Sequence, residues 1–219
     1  MSQKIRSVTL LELLVGLALL SIIILIVSSF DLYTNQQVIG SERRAMLQNE
    51  VSYILDHMAR EINRAIGNES VNGANSVVNP DNIGANQAIR IYIDANGNGR
   101  REVAAGTDFW IAYRFTDNAG PPVNRFQIRF CPRCTTPACA ACAAPNAWGT
   151  AANILSRRIE DLNIAGVTDG DVLVNNSIDI TLTACWDPSQ ALGFGACGTP
   201  ANPQVNMRAT MFMPSVSTN

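Results

Sequence analysis

Near its start the chain has one continuous apolar segment, and the pattern of residues changes after it. Residues 8–30 contain a single ionisable side chain, Glu12, among apolar, glycine, serine and threonine residues. A helix needs about 20 apolar residues to cross about 30 Å of hydrocarbon. Lys4 and Arg6 precede the segment and Asp31 follows it, so the positive-inside tendency places the N-terminus in the cytoplasm. We therefore predict a single-pass inner-membrane anchor whose C-terminal side is extracytoplasmic.

A helical pattern continues beyond the apolar segment. Apolar residues recur at steps of three and four, as one face of an α-helix requires, and charged residues lie between them. The residues of this stripe are Leu47, Val51, Ile54, Leu55, Met58, Ile62 and Ile66. We predict that the extramembrane half of the helix covers residues 31–67, ends at Gly67 and Asn68, and packs its stripe on a globular domain. The single histidine, His57, lies within this helix and is interpreted as structural.

The remaining residues, 68–219, show strand patterns separated by turn residues. Residues 69–87 are rich in Asn, Ser and Gly and are interpreted as a surface loop. β-branched and aromatic residues then predict strands at 88–93, 109–116, 125–131, 154–167, 172–185 and 205–213. An antiparallel sheet packed on the helix follows from this order, which makes the predicted fold class α+β.

Composition and charge argue against two classes of function, nucleic-acid binding and catalysis. Apolar residues make up 47% of the chain, yet the large ones are concentrated in the first thirty positions, and the formal net charge is −2. Without a basic patch, a nucleic-acid partner is not indicated. With one histidine and no recognisable catalytic motif, we expect no enzymatic activity.

Glu12 stands out because a carboxylate inside an apolar run costs ~2.5–3.5 kcal/mol on insertion scales and normally needs a partner. A secretory signal would have a shorter apolar core and a small-residue cleavage site after it, which this segment lacks. A plain signal anchor with an accidental glutamate is the alternative.

The sequence around Glu12, KIRSVTLLELLV at residues 4–15, resembles the prepilin motif of type IV pilins and type II secretion pseudopilins. The resemblance implies that prepilin peptidase cuts between Ser7 and Val8, that the new N-terminus is methylated, and that Glu12 aligns subunits during assembly. Ser7 and Val8 stand where the family usually has Gly and Phe. The new amine of Val8, or that of a neighbouring subunit, would compensate the charge of Glu12. The implied layout is a leader at 1–7 and a transmembrane and filament-core helix at 8–30.

Two later segments, residues 154–164 and 177–183, are similar to the C-terminal domain of PilW-type and J-type minor pilins. The resemblance implies a minor pilin or pseudopilin that aids the initiation or stability of assembly. Its partners would be other subunits, the membrane, prepilin peptidase and the inner-membrane assembly platform. The filament that incorporates the subunit would be a type IV pilus or a type II secretion pseudopilus. Two alternatives stay open: a tip adhesin that uses its cysteine-rich loop, and the major pilin.

Six cysteines lie in the second half of the chain, and an even number in an exported domain favours disulfides. Two C-x-x-C pairs in the insert at 131–148 raise a zinc alternative, but only four residues separate them, where zinc ribbons have about 15–20. We favour a disulfide-stapled loop. Fifteen pairings remain open, including one that closes residues 185–197. The candidate disulfide residues are Cys131, Cys134, Cys139, Cys142, Cys185 and Cys197.

Asp94, Asn96 and Asn98 form the D-x-N-x-N-G opening of a calcium-binding loop, in which alternating oxygen ligands wrap the cation. The position of the closing bidentate acid is occupied by Ala105. We favour a strand-connecting Asn-Gly turn and no cofactor, with calcium as the alternative.

Overall fold

A computed structural model describes residues 9–65, 78–83, 86–93, 95–96, 108–116, 126–134, 154–165, 167–168, 172–173 and 177–212. The chain has an α+β fold, with one long helix followed by antiparallel strands, as the patterns predicted. The elements in chain order are α1 (Leu10–Ile62), β1 (Val78–Ile83), β2 (Asn86–Ile93), β3 (Phe109–Thr116), β4 (Gln127–Cys134), β5 (Ile154–Ser156), β6 (Ile159–Ala165), β7 (Val167–Thr168), β8 (Val172–Leu173), β9 (Ser177–Cys185) and β10 (Gln204–Phe212).

Helix α1 contains 53 residues and is therefore about 80 Å long. Its N-terminal half packs on no other described element, and Gly40 is its first buried residue. The leucine, isoleucine and valine side chains of this half project outward on every side of the helix. By length and composition the helix can cross a membrane.

The C-terminal half of α1 buries the predicted apolar stripe. Leu47, Val51, Ile54 and Met58 are fully buried against the strands. The predicted end of the helix is wrong, because α1 stops at Ile62 rather than at Gly67. The chain tightens into a turn there, with Ala65 N–H donating to the Ile62 carbonyl at 3.0 Å, and Ala65 then forms a β-bridge with Ile93. Ile66, Gly67 and Asn68 lie outside the described residues.

Within the described residues, the strands form three antiparallel sheets rather than the single predicted one. The largest has the order β1-β2-β3-β4-β5, the second has the order β10-β9-β6, and β7 pairs with β8. Strand β1 falls inside the segment interpreted as a loop, which corrects that prediction. Its composition concealed it, because Asn and Pro are poor strand formers; Pro80 is tolerated because β1 is an edge strand.

The predicted strand at 154–167 is divided between two sheets. β5 pairs with β4, whereas β6 pairs with β9, and the change of sheet occurs at Arg157 and Arg158. Ile159 N–H donates to the Phe126 carbonyl at 3.1 Å, and the Arg158 carbonyl accepts from Cys185 N–H at 2.9 Å, so the crossing residues join both sheets. The predicted strand at 172–185 likewise divides into β8 and β9.

The hydrophobic core lies between α1 and the two larger sheets. Strand β9 alternates buried and half-buried residues along most of its length, as one covered face of a sheet requires. The core members that the strands contribute include Ile89, Ile91, Ile111, Tyr113, Ile128, Leu162, Ile180, Leu182 and Val205.

Candidate functional site

At the N-terminus of α1, the Glu12 carboxylate has a partner within the chain. Thr9 is the N-cap residue, and its backbone N–H donates to Glu12 Oε2 at 3.0 Å. The Thr9 hydroxyl accepts from Glu12 N–H at 3.3 Å and lies 3.1 Å from Glu12 Oε2. This reciprocal pair is a capping box, which satisfies two of the N–H groups that a helix start leaves unpaired.

The capping box also places Glu12 near the predicted processing point. Ser7 and Val8 lie outside the described residues, but Val8 is the residue directly before Thr9, whose N–H already contacts the carboxylate. An acidic side chain in the first turn further interacts favourably with the helix dipole. The T-x-x-E spacing of Thr9 and Glu12 is a local signal of a capping box. It was not used in the prediction, which considered Glu12 only as a lone carboxylate.

A second group of contacts lies further along α1, where residues 186–203 form a loop between β9 and β10. Cys185 and Cys197 are joined by a disulfide with their Cα atoms 5.8 Å apart, which is one of the pairings that the sequence left open. Cys131 is also disulfide-bonded. The zinc alternative on all four insert cysteines would need Cys131 as a free thiolate. The Cys134 side chain, Cys139 and Cys142 lie outside the described part of the chain.

Asn202 holds this loop together from inside. Its side chain is fully buried; its Oδ1 accepts from Asp187 N–H at 2.8 Å, and its Nδ2 donates to the carbonyls of Asp187 at 3.0 Å and Gly195 at 2.8 Å. The Asp187 carboxylate in turn accepts from Leu192 N–H at 2.8 Å. This role of Asn202 was not predicted, because in an Asn-rich chain nothing local distinguishes it.

The loop rests on helix α1 at Gly40. A Cβ atom built on Gly40 would lie 2.4 Å from the carbonyl oxygen of Pro200, so only glycine permits this approach. One turn further along the helix, Arg43 donates from its guanidinium to the Ala201 carbonyl. The same guanidinium lies 4.1 Å from the ring centre of Phe194.

A second guanidinium also contacts this loop. The Arg158 guanidinium lies 4.1 Å from the centre of the Trp186 ring, and Arg43 lies 5.5 Å from that ring. Arg158 Nη1 also lies 3.1 Å from Glu50 Oε2 on α1. Helix, sheet crossing and loop are therefore linked through one indole ring and two guanidinium groups. No local sequence pattern distinguishes these residues, because their contacts join segments that are far apart in the chain.

His57 has a structural role, as its sequence context suggested. Its Nδ1 lies 2.7 Å from Tyr113 Oη, and its ring meets the Phe130 ring edge-on at 4.8 Å. Tyr113 is fully buried, and desolvation, followed by the charge of Glu61 and by Tyr53, raises the pKa of its hydroxyl far above the ordinary value. The hydroxyl therefore stays protonated and fixes α1 to β3.

Of the calcium candidates, Asn96 lies in a bend after β2, whereas Asp94 and Asn98 fall outside the described residues. The neighbouring Ala95 N–H donates to Asp108 Oδ1 at 3.2 Å. Within the described ranges, no group of three or more His, Cys, Asp or Glu side chains is placed to hold a metal ion. Calcium binding at this loop therefore rests on the sequence pattern alone.

Comparison with protein-family models finds no match to this chain, and comparison with curated proteins finds no significant similarity.

Proposed function

We propose that this chain is a type IV pilin-like structural subunit, namely a minor pilin or pseudopilin that is held in the inner membrane and then incorporated into a filament. The observation that supports this most is the division of one continuous helix into two halves. The half before Gly40 exposes its apolar side chains on all sides, and the half after it packs on the antiparallel sheets. The resemblance of residues 4–15 to the prepilin motif adds a processing site at the correct end.

The exposed half of α1 needs a covering, and two kinds are compatible with its chemistry. Lipid tails are one, and apolar helices of neighbouring subunits are the other. Because lipid tails are as apolar as leucine, moving this helix from the bilayer to a helix bundle changes little hydrophobic free energy. A subunit with this helix can therefore leave the membrane without a large hydrophobic penalty.

Polar groups then decide between the two surroundings. Glu12 is the one ionisable side chain in residues 8–30, and its carboxylate is poorly accommodated by lipid. In a filament, the terminal amine of a cleaved neighbouring subunit would provide a countercharge. In the membrane, the capping box with Thr9 supplies neutral hydrogen bonds. We assign to Glu12 the role of aligning the subunit, and we assign no bond chemistry to the chain.

The proposal predicts how the mature protein begins. Co-expressed with prepilin peptidase and purified from membranes, the chain should start at Val8 with a methylated amine, because cleavage falls after Ser7. Mass spectrometry of the N-terminal peptide measures this. A chain that begins at Met1, or one cut beyond residue 30, would contradict the prepilin interpretation.

Abundance separates the minor subunit from the major one. Sheared filaments should contain this chain in a small proportion relative to another pilin, and quantitative mass spectrometry of the filament fraction measures that ratio. A filament composed mainly of this chain would identify it as the major subunit.

A further inference from the structure

Strand β10 is an edge of the second sheet, and half of its backbone groups point away from that sheet. The Pro203 carbonyl accepts from Trp186 N–H at 3.1 Å, so every second residue of β10 from Pro203 onward bonds to β9. Within the described part of the chain, the groups that point outward pair with no other strand. The residues that carry these outward N–H and C=O groups are Gln204, Asn206, Arg208, Thr210 and Phe212.

The polar side chains beside these groups are turned back over the sheet rather than across its edge. Arg208 and Thr210 both donate to the Asp179 carboxylate on β9. Asn206 Nδ2 donates to Thr183 Oγ1, also on β9, at 3.1 Å. The one charged side chain of β10 is thus paired within the sheet and does not guard the edge.

The other edges of the two larger sheets are protected in ways that β10 is not. Natural edge strands are commonly short, bulged or interrupted by proline, which discourages pairing with other chains. β1 contains Pro80, β5 has three residues, and β6 has a register shift between Ile159 and Asp161. β10 has nine residues, contains no proline and pairs with β9 without a register shift. Among the described strands of these sheets, β10 alone is suited to receive a further strand.

Strand β10 runs beside α1 and in the same direction. Gln204 lines a groove with Arg44, and further along, Met207 Sδ lies 3.7 Å from Ser52 Oγ. These contacts advance about 12 Å along the helix and about 10 Å along the strand. An antiparallel pair of two β10 strands would point their helices in opposite directions, which subunits anchored in one membrane cannot do. A neighbouring subunit that packs along α1 on the β10 side meets this edge with its own helix in the same direction.

We propose that the outward edge of β10 receives a strand of a neighbouring pilin-like subunit, so that the second sheet continues across the subunit boundary. This inference rests on the proposed function, because the filament supplies the neighbour. Main-chain hydrogen bonds provide the affinity in such strand addition, and alternate side chains provide the specificity. Met207 and Ala209 are only half-buried on the core side of β10, so the added strand should place apolar side chains beside them at alternate positions.

The experiment compares proline with alanine at two outward positions of the full chain, expressed with the other subunits of its assembly system. Asn206→Pro and Thr210→Pro each remove one outward N–H, whereas Asn206→Ala and Thr210→Ala lose the same side-chain hydrogen bonds and keep that N–H. None of the four removes a hydrogen bond to β9, and Pro80 in β1 shows that an edge strand of this fold accepts proline. Thermal unfolding in detergent checks that each pair of variants folds alike.

The readout is the amount of each variant in sheared filaments relative to membranes. Several-fold less of both proline variants than of their alanine counterparts, at similar unfolding temperatures, is the expected result. Equal incorporation of the proline and alanine variants would overturn the inference and leave the pilin-like function intact. Absence of the wild-type chain itself from filaments would overturn both.

Hydrogen exchange of the wild-type chain decides the matter if the proline variants do not fold. In the detergent-solubilised subunit, the outward amides, such as those of Asn206 and Arg208, should exchange quickly, and the amides bonded to β9 should exchange slowly. In filament fragments that contain the chain, both sets should exchange slowly. Outward amides that are already protected in the isolated subunit, or still unprotected in the filament, would overturn the inference.

Discussion

The backbone of Gly40 on α1 approaches the carbonyl oxygen of Pro200 so closely that a methyl group at Gly40 would lie 2.4 Å from it. This contact is where the domain first meets the helix. Arg43, three residues further along the helix, and Arg158 both make cation–π contacts with Trp186 of the same loop. The close approach thus sets how the disulfide-closed loop is seated on the helix.

Gly40→Ala should therefore destabilise the domain, by about 1–3 kcal/mol, because the added methyl forces the helix and the loop apart. Alanine normally improves an exposed helix by about 1 kcal/mol, so the sign of the effect is informative. Thermal unfolding of the full chain in detergent, followed by tryptophan fluorescence, measures the change.

The matched control is Gly16→Ala in the same helix, where an added Cβ meets no atom within 4 Å. This variant should not lower the unfolding temperature. If the two variants unfold alike, the contact between Gly40 and Pro200 does not constrain the domain.

Asn202→Ala should loosen the loop, because the buried N–H of Asp187 and the carbonyls of Asp187 and Gly195 lose their shared partner. Each unsatisfied buried group costs about 1–3 kcal/mol. The expected result is faster proteolytic cleavage within residues 186–203 and a lower unfolding temperature. Asn202→Asp is the informative companion: it keeps the acceptor oxygen but loses both donors, so it should be nearly as harmful. An Asp variant as stable as the wild type would show that the two donated hydrogen bonds contribute little.

Tyr113 links stability to alkaline pH. Burial raises the pKa of its hydroxyl above the unfolded value of about 10. Above pH 10 the unfolded chain releases this proton while the folded chain retains it, so the stabilisation is complete below that pH and is lost as pH rises further. Tyr113→Phe should remove this part of the decline, although it should cost about 1 kcal/mol at neutral pH through the lost hydrogen bond to His57.

Urea unfolding at neutral pH and above pH 10 measures both effects of Tyr113→Phe. The comparison with the wild type cancels the contribution of the other tyrosines. Identical alkaline slopes for the two proteins would contradict the assignment of this pH dependence to Tyr113.

Glu12→Gln should leave membrane insertion and cleavage intact but reduce incorporation into filaments, because the amide keeps the shape of the side chain and removes its charge. Quantification in sheared filament and membrane fractions measures the effect. Thr9→Val is the control, since it removes the capping hydroxyl and leaves the carboxylate; it should weaken the helix start by about 0.5–2 kcal/mol without an equal assembly defect. Wild-type amounts of the Gln variant in filaments would show that the charge has no aligning role.

Local patterns were sufficient for the elements whose physical cause is local. The apolar segment at 8–30 and the stripe from Leu47 to Ile62 depend only on residue type and helical periodicity, and both halves of α1 follow from them. Strand β3 was predicted with its observed bounds because its aromatic and β-branched residues alternate. The capping box at Thr9 and Glu12 has a local signature as well.

The tertiary structure alone decided the features that depend on distant partners. The change of sheet at Arg157 and Arg158 depends on Phe126, which directly precedes β4, and on Cys185 at the end of β9. Gly40 matters only because Pro200, 160 positions later, approaches it. Burial of Asn202 and the pairing of Cys185 with Cys197 likewise arise when β9 and β10 close their loop. Such relationships leave no periodicity in the sequence, because each is a contact between segments whose separation along the chain is unrelated to any helical or strand repeat.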